Sequence, residues 1–157
     1  MIDLSDTGRH PALTVADADG DGDLDSSVGT FKLPWEQGAP HLDLLLIHEG
    51  DAWEVRPLES ATGGVHCQAA LFTDRDQDGD QDLLVTDGDN SSGHPTAFFR
   101  NDGGGQFVDD AADIGADGRL NGMGMASWDW NQDGSLDYCI TDRTCSSSAP
   151  GLHRGST

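Results

Sequence analysis

DADGDGDLD, from Asp17 to Asp25, occurs three times in altered form: again as DRDQDGDQD, from Asp74 to Asp82, and as DWNQDGSLD, from Asp129 to Asp137. Every copy has an oxygen-bearing side chain at positions 1, 3, 5 and 9 and glycine at position 6. The starts lie 57 and 55 residues apart. A site recurring at so regular a period marks a repeat architecture.

The spacing suits a hard cation. Calcium takes six to eight oxygens in a flexible shell, and a tight loop with acids at alternate positions supplies them. In the first loop the expected ligands are Asp17, Asp19, Asp21 and Asp25, with the carbonyl of Asp23. In the second they are Asp74, Asp76, Asp78 and Asp82, with the carbonyl of Asp80. In the third they are Asp129, Asn131, Asp133 and Asp137, with the carbonyl of Ser135. About three Ca²⁺ sites are therefore expected. Gly22, Gly79 and Gly134 fall where the chain must turn sharply, at a positive φ that glycine reaches without strain. The bland alternative is a set of solvated acidic turns. Four converging carboxylates repel one another by roughly 1–4 kcal/mol per pair, and Asn, Ser or Gly would build a turn without that cost. Magnesium prefers a rigid octahedron that keeps several waters. An EF-hand would need Glu at position 12, where Val28, Val85 and Ile140 stand.

The loops are flanked by short apolar runs: ALTVA (12–16), QAALFT (68–73) and MGMASW (123–128) before them, LLVT (83–86) and YCIT (138–141) after two of them. Runs this short beside Gly and Asp read as strands. HLDLLLIHEGDAWEV (41–55) and PTAFFRNDGGGQFVD (95–109) each add an apolar strand, a turn and a further strand, with Phe107 in the role of Trp53. A third such element begins at GLHRGST (151–157). Four strands in about 55 residues is the content of a propeller blade. The expected fold is all-β: a partial β-propeller of two and a half to three four-stranded blades with calcium-binding hairpin loops. The whole chain, 1–157, is one repeat segment with units at about 10–60, 61–115 and 116–157. Trp35, Trp53, Trp128 and Trp130, with Phe98, Phe99 and Phe107, are expected to fill the space between blades.

These repeats resemble the FG-GAP/VCBS family, the calcium-loop blades of integrin α-subunit propellers and many secreted bacterial proteins. The stretches FFRNDGGGQFVDDAADIG (98–115) and GMGMASWDWNQDGSLDYCITD (122–142) are similar to repeats of the cartilage-acidic-protein and ASPIC/UnbV group. There an R-N-D-G turn precedes a G-M-G strand and a D-x-N-x-D-G loop. The first unit departs from that pattern, with Ile47-His48-Glu49-Gly50 in place of R-N-D-G and an insertion, FKLPWEQGAPH (31–41), before it. The resemblance implies adhesion, ligand binding or scaffolding, and fold alone does not choose among them.

The net charge of −21 argues against nucleic acid and anionic membranes as partners. No apolar run is long enough to span a bilayer. Expected partners are an unidentified protein or glycan ligand, the remaining blades of a propeller, or a second copy in self-association. Calcium loops point to an extracellular, cell-surface or periplasmic setting, although MIDLSDTGRH carries no leader pattern. Of three cysteines, Cys139 and Cys145 could bridge locally, and Cys67 reads as a buried free thiol. Asn90-Ser91-Ser92 matches a glycosylation acceptor. The six histidines show no metalloprotease spacing and no G-x-S-x-G is present, so the segment is read as a non-enzyme. A propeller belonging to a carbohydrate-active enzyme or lectin, and a purely structural spacer, are the alternatives.

Overall fold

The computed structural model describes residue 4 and residues 9–31, 42–60, 66–88 and 95–142. These residues are all-β, in three antiparallel sheets with no helix. The first sheet runs β1 (Arg9–Ala16), β2 (Asp25–Phe31), β3 (Asp43–Glu49) and β4 (Ala52–Leu58), in that order. The second repeats it with β5 (Cys67–Thr73), β6 (Asp82–Asp87), β7 (Ala97–Asn101) and β8 (Phe107–Asp109). The third consists of β9 (Gly122–Trp128) and β10 (Asp137–Asp142). The expected continuation of the third unit at 151–157 lies outside the described residues, as do Trp35, Asn90 and Cys145.

Each acidic loop joins the first two strands of its sheet. The closing pairs are equivalent in all three: Ala16 with Asp25, Thr73 with Asp82, Trp128 with Asp137. This shared register makes residues comparable from sheet to sheet, because a slip of one would send every side chain to the opposite face.

The expected strands around the loops form, and so do both later hairpins. One strand escapes the apolar pattern. β2 reads DSSVGTF, yet nearly all of it is buried. Its Ser27 and Thr30 are fully buried. At Gly29 an added Cβ would lie 2.1 Å from Cys67 Sγ. The polar, glycine-bearing sequence of β2 is the condition for β5 to come so close.

The sheets pack face to face. Leu45, Ile47 and Leu58 of the first sheet join Phe72, Leu83, Val85, Ala97 and Phe99 of the second in the main apolar cluster. Leu84 and Phe98, on the other side of the second sheet, meet Met125, Tyr138 and Ile140 of the third. A small third cluster, Val28, Leu44 and Leu46 with Leu4, lies on the side of the first sheet facing away from the second. Phe98 and Phe99 fill inter-sheet space as expected, but Trp53, Trp128 and Trp130 do not. Trp53, Trp128 and Trp130 are 41%, 67% and 77% exposed. Their registers place Trp53 on the outward face of the first sheet and Trp128 on the face of β9 turned away from the second sheet.

Candidate metal loops

The three loops fold alike. In each, the position-5 carboxylate accepts the position-7 N–H: Asp21 from Asp23 at 2.8 Å, Asp78 from Asp80 at 2.9 Å, and Asp133 from Ser135 at 2.9 Å. In the first and third, the position-1 carboxylate also accepts the N–H of the position-6 glycine: Asp17 from Gly22 at 3.1 Å, Asp129 from Gly134 at 3.0 Å. Gly22, Gly79 and Gly134 have φ of 96°, 101° and 91°, where a side chain would be strained. Position 4 is left-handed as well, in Gly20, Gln77 and Gln132, with φ of 79°, 62° and 60°. The acidic spacing drew attention away from that position.

This turn points the acids of positions 1, 3 and 5 at one another. Carboxylate oxygens of Asp17, Asp19 and Asp21 all lie within 4.8 Å of one another, and so do those of Asp74, Asp76 and Asp78. Two aspartate triplets could thus hold a metal ion, with the all-oxygen donor set a hard cation takes. In the second loop Asp74 Oδ1 is buried and accepts no hydrogen bond among the described residues. A bare buried carboxylate oxygen is costly, and a cation is the partner its chemistry suits. The third loop has Asn131 where the others have an aspartate, and the Asn131 amide donates to Asp133 Oδ2 at 2.8 Å.

Position 9 stands apart from the triplets. Asp25 Oδ2 accepts the Ala18 N–H at 2.7 Å, and its Oδ1 accepts the His48 N–H at 2.8 Å. Asp82 repeats this with Arg75 at 3.1 Å and Asn101 at 2.8 Å. Asp137 Oδ2 takes the Trp130 N–H at 2.9 Å. The buried Asp25 and Asp82 thus tie the loop's entry to the third strand of the sheet, a task that the ligand pattern alone does not reveal. Asp23, at position 7 of the first loop, has its carboxylate 3.7 Å from His48 Nδ1.

The electrostatics follow from crowding. Burial pushes the Asp19 carboxyl above its ordinary range against the Asp21 N–H, and Asp25 and Asp21 add repulsion. Burial lifts Asp82 to about 6, opposed by the Asn101 and Arg75 N–H groups, with Asp76 and Asp78 raising it further. Asp133 moves the other way, held down by the Ser135 N–H and then by the Asn131 amide. A bound cation would reverse the repulsion in the first two loops.

Loops also touch neighbouring sheets. Gln77 Nε2 donates to the Gly134 carbonyl, joining the second loop to the third. Arg56 Nη1 reaches the Gly105 carbonyl of the β7–β8 turn at 3.4 Å. Cys67 is a buried free thiol, as expected, and Cys139 is an exposed one. No family model matches the chain, and neither does any curated protein.

Proposed function

We propose that this chain is a calcium-binding stretch of β-propeller serving as an extracellular binding or adhesion module, its sheets being blades stacked side by side. The bare, buried Oδ1 of Asp74 inside an aspartate triplet carries this reading. The like fold of all three loops and the lining-up of the sheets support it. Calcium would be held by Asp17, Asp19 and Asp21 in one loop, by Asp74, Asp76 and Asp78 in the next, and more weakly by Asp129, Asn131 and Asp133. Ions would cancel the repulsion that burial enforces and so hold each hairpin at the rim. With a net charge of −21, ligands reached through bridging calcium or through apolar contact are favoured over polyanions.

Ion binding to the folded state adds about 2.7 kcal/mol per site at a hundredfold excess over Kd. Chelator should therefore lower Tm by several degrees or more, and millimolar calcium should restore it. An unchanged melting curve would overturn the reading.

One observation favours the lectin alternative. Trp128 and Trp130 flank the third loop's Asp129, are both largely exposed, and meet edge to face at 5.9 Å. Exposed indoles beside a metal loop offer sugar rings a flat apolar surface. A glycan array comparing the calcium-loaded chain with Trp130→Ala separates the two readings: glycan binding lost in the variant would favour the lectin.

A further inference from the structure

The first and second metal loops are joined by a continuous path of buried hydrogen bonds that crosses the sheet boundary. It starts at Asp25, whose Oδ2 accepts the Ala18 N–H at 2.7 Å. The Ala18 carbonyl accepts from Asn101 Nδ2, also at 2.7 Å. The Asn101 N–H donates to Asp82 Oδ1 at 2.8 Å, and Asp82 Oδ2 accepts the Arg75 N–H at 3.1 Å. Asp25, Ala18, Asn101 and Asp82 are all fully buried.

Asn101 is fully engaged at the centre of this path. Its Nδ2 also donates to the Gln81 carbonyl at 3.1 Å, and its Oδ1 accepts the Gly103 N–H at 3.0 Å. One side chain thus grips position 2 of the first loop and position 8 of the second, while its backbone grips position 9 of the second. The turn that follows lies against the first loop: a Cβ on Gly105 would sit 3.5 Å from Asp19 Cβ. An aspartate here would lack the two donors. His48, the equivalent residue of the first sheet, keeps the backbone bond to its own position 9. Its ring stacks on Trp53 at 4.4 Å instead.

Asn101 holds the backbone beside Asp17 and Asp19 in the first loop and the closing residues, Gln81 and Asp82, of the second. All of its bonds are made together only when both loops have this shape. Whatever orders one loop places the amide for the other, and the help is reciprocal. We propose that Asn101 is a positioning residue that makes cation binding at Asp17–Asp25 and at Asp74–Asp82 positively cooperative. The proposal rests on the calcium reading of the loops.

The test is calcium titration followed by two-dimensional NMR, with the Gly22, Gly79 and Gly134 amides reporting each loop separately. Asp78→Asn disables the second loop. In the parent background this change should move the Gly22 midpoint about fivefold or more to higher calcium, the lower end of usual couplings. In the Asn101→Ala background the same change should leave the Gly22 midpoint where it was. A merely structural role would lower stability in Asn101→Ala and leave that shift intact. Should Asn101→Ala not fold, Asn101→His, which inserts the first sheet's own residue, takes its place. A Gly22 midpoint indifferent to Asp78→Asn in the parent overturns the coupling while the calcium reading stands. A shift that survives in the Asn101 variants assigns the coupling to another route and overturns the role of Asn101. Glycine amides that do not respond to calcium at all overturn both.

Discussion

The face of the second sheet that meets the first, and the face of the first sheet that points away, are built from equivalent positions. Phe72, Leu83, Val85, Phe99 and Phe107 on the one correspond to Val15, Ser26, Val28, Leu46 and Trp53 on the other. Phe99 is 1% exposed and packs among Leu45 and Ile47 of the neighbouring sheet. Val15 is 54% exposed and its strand neighbour Leu13 is 68% exposed, with Leu4 alone among the described residues added to the small cluster beside them. One backbone register carries both faces. The contrast lies in the outer strands: Val28 and Leu46 are buried like Val85 and Phe99, while Val15 and Trp53 are exposed where Phe72 and Phe107 pack against the neighbouring sheet. An apolar surface of this kind, rimmed by charge, is the form that contact surfaces take.

Truncating one buried aromatic, Phe99, and one exposed aromatic, Trp53, tests the contrast directly. Phe99→Ala should cost about 3–5 kcal/mol, the usual range for a buried aromatic. Trp53→Ala, on the outward face, should cost under about 1 kcal/mol, since exposed positions tolerate change. Urea unfolding measures both. Equal losses would mean that the outward face of the first sheet is covered in solution, by a second copy or by another partner.

A second contrast concerns how closely the sheets approach. Between the first two sheets Gly29 on β2 lies against the Cys67 side chain on β5. At the equivalent point of the next boundary the sizes are exchanged: Thr86 on β6 lies against Gly122 on β9, where an added Cβ would be 2.5 Å from Thr86 Cβ. Each boundary thus keeps one glycine and one larger residue, on opposite partners. Gly29→Ala should destabilise by about 1–3 kcal/mol, the usual cost of overpacking. Cys67→Ala should recover part of that loss in the double variant, because the nearest clash is with Sγ. Gly122→Ala should destabilise likewise, and Thr86→Ser should leave most of that loss, because serine keeps the Cβ that the added methyl would meet. Strictly additive losses at Gly29 and Cys67 would show that the sheets slide apart and do not resist at this point.

These contrasts also explain what could be read from the sequence. The loops were legible because acidic residues and a turn glycine recur in them at fixed spacings. The strands beside them were legible where they were apolar, as in LLVT and QAALFT. β2 was not, because DSSVGTF is a sequence suited to a crowded interior and has no alternation to read. Trp53, Trp128 and Trp130 misled because size predicts burial only where a neighbour is present to bury against. Asn101 appeared as part of a turn, and its amide reaches Ala18, 83 positions away. A partner at that separation leaves no local pattern, although the R-N-D-G order was its signal.

The far ends of the sheets, away from the loops, differ in charge. Asp43 at the start of β3 is buried, where the second sheet has the neutral Thr96. Burial lifts the Asp43 carboxyl to about 7 against the N–H and hydroxyl of Thr30, and Asp87 raises it further. Its Oδ1 takes the Thr30 N–H at 2.6 Å, while its buried Oδ2 has no hydrogen-bond partner among the described residues. A carboxyl whose folded value exceeds its unfolded one binds protons more tightly when folded. Its stabilising contribution is complete below the ordinary value of 3.8, falls as pH rises, and is lost above about 7. Asp43→Asn, neutral at every pH, should therefore gain on the parent between about pH 4 and pH 7. Unfolding curves collected with chelator across that range decide it, and a constant difference between the two proteins would show that Asp43 is ionised throughout.

The smallest expected effect separates the first loop from the other two. Position 4 is left-handed in all three, yet only the first has glycine there. For an L-residue that conformation costs roughly 1–2 kcal/mol. Glycine escapes the cost but loses about 0.5–1 kcal/mol more chain entropy on folding. Gln132→Gly should thus stabilise the third loop by several tenths of a kcal/mol, and Gly20→Gln should destabilise the first by a similar amount. Gln77 is the harder case, since its side chain donates to the Gly134 carbonyl. Gln77→Gly trades that bond, worth about 0.5–1.5 kcal/mol, for relief of a similar size, and should be close to neutral. Measuring the three by urea unfolding in chelator keeps ion binding out of the comparison. If Gln77→Gly is as stabilising as Gln132→Gly, the bond between the second and third loops contributes nothing. If it is clearly destabilising, that bond outweighs the strain of the turn that presents it.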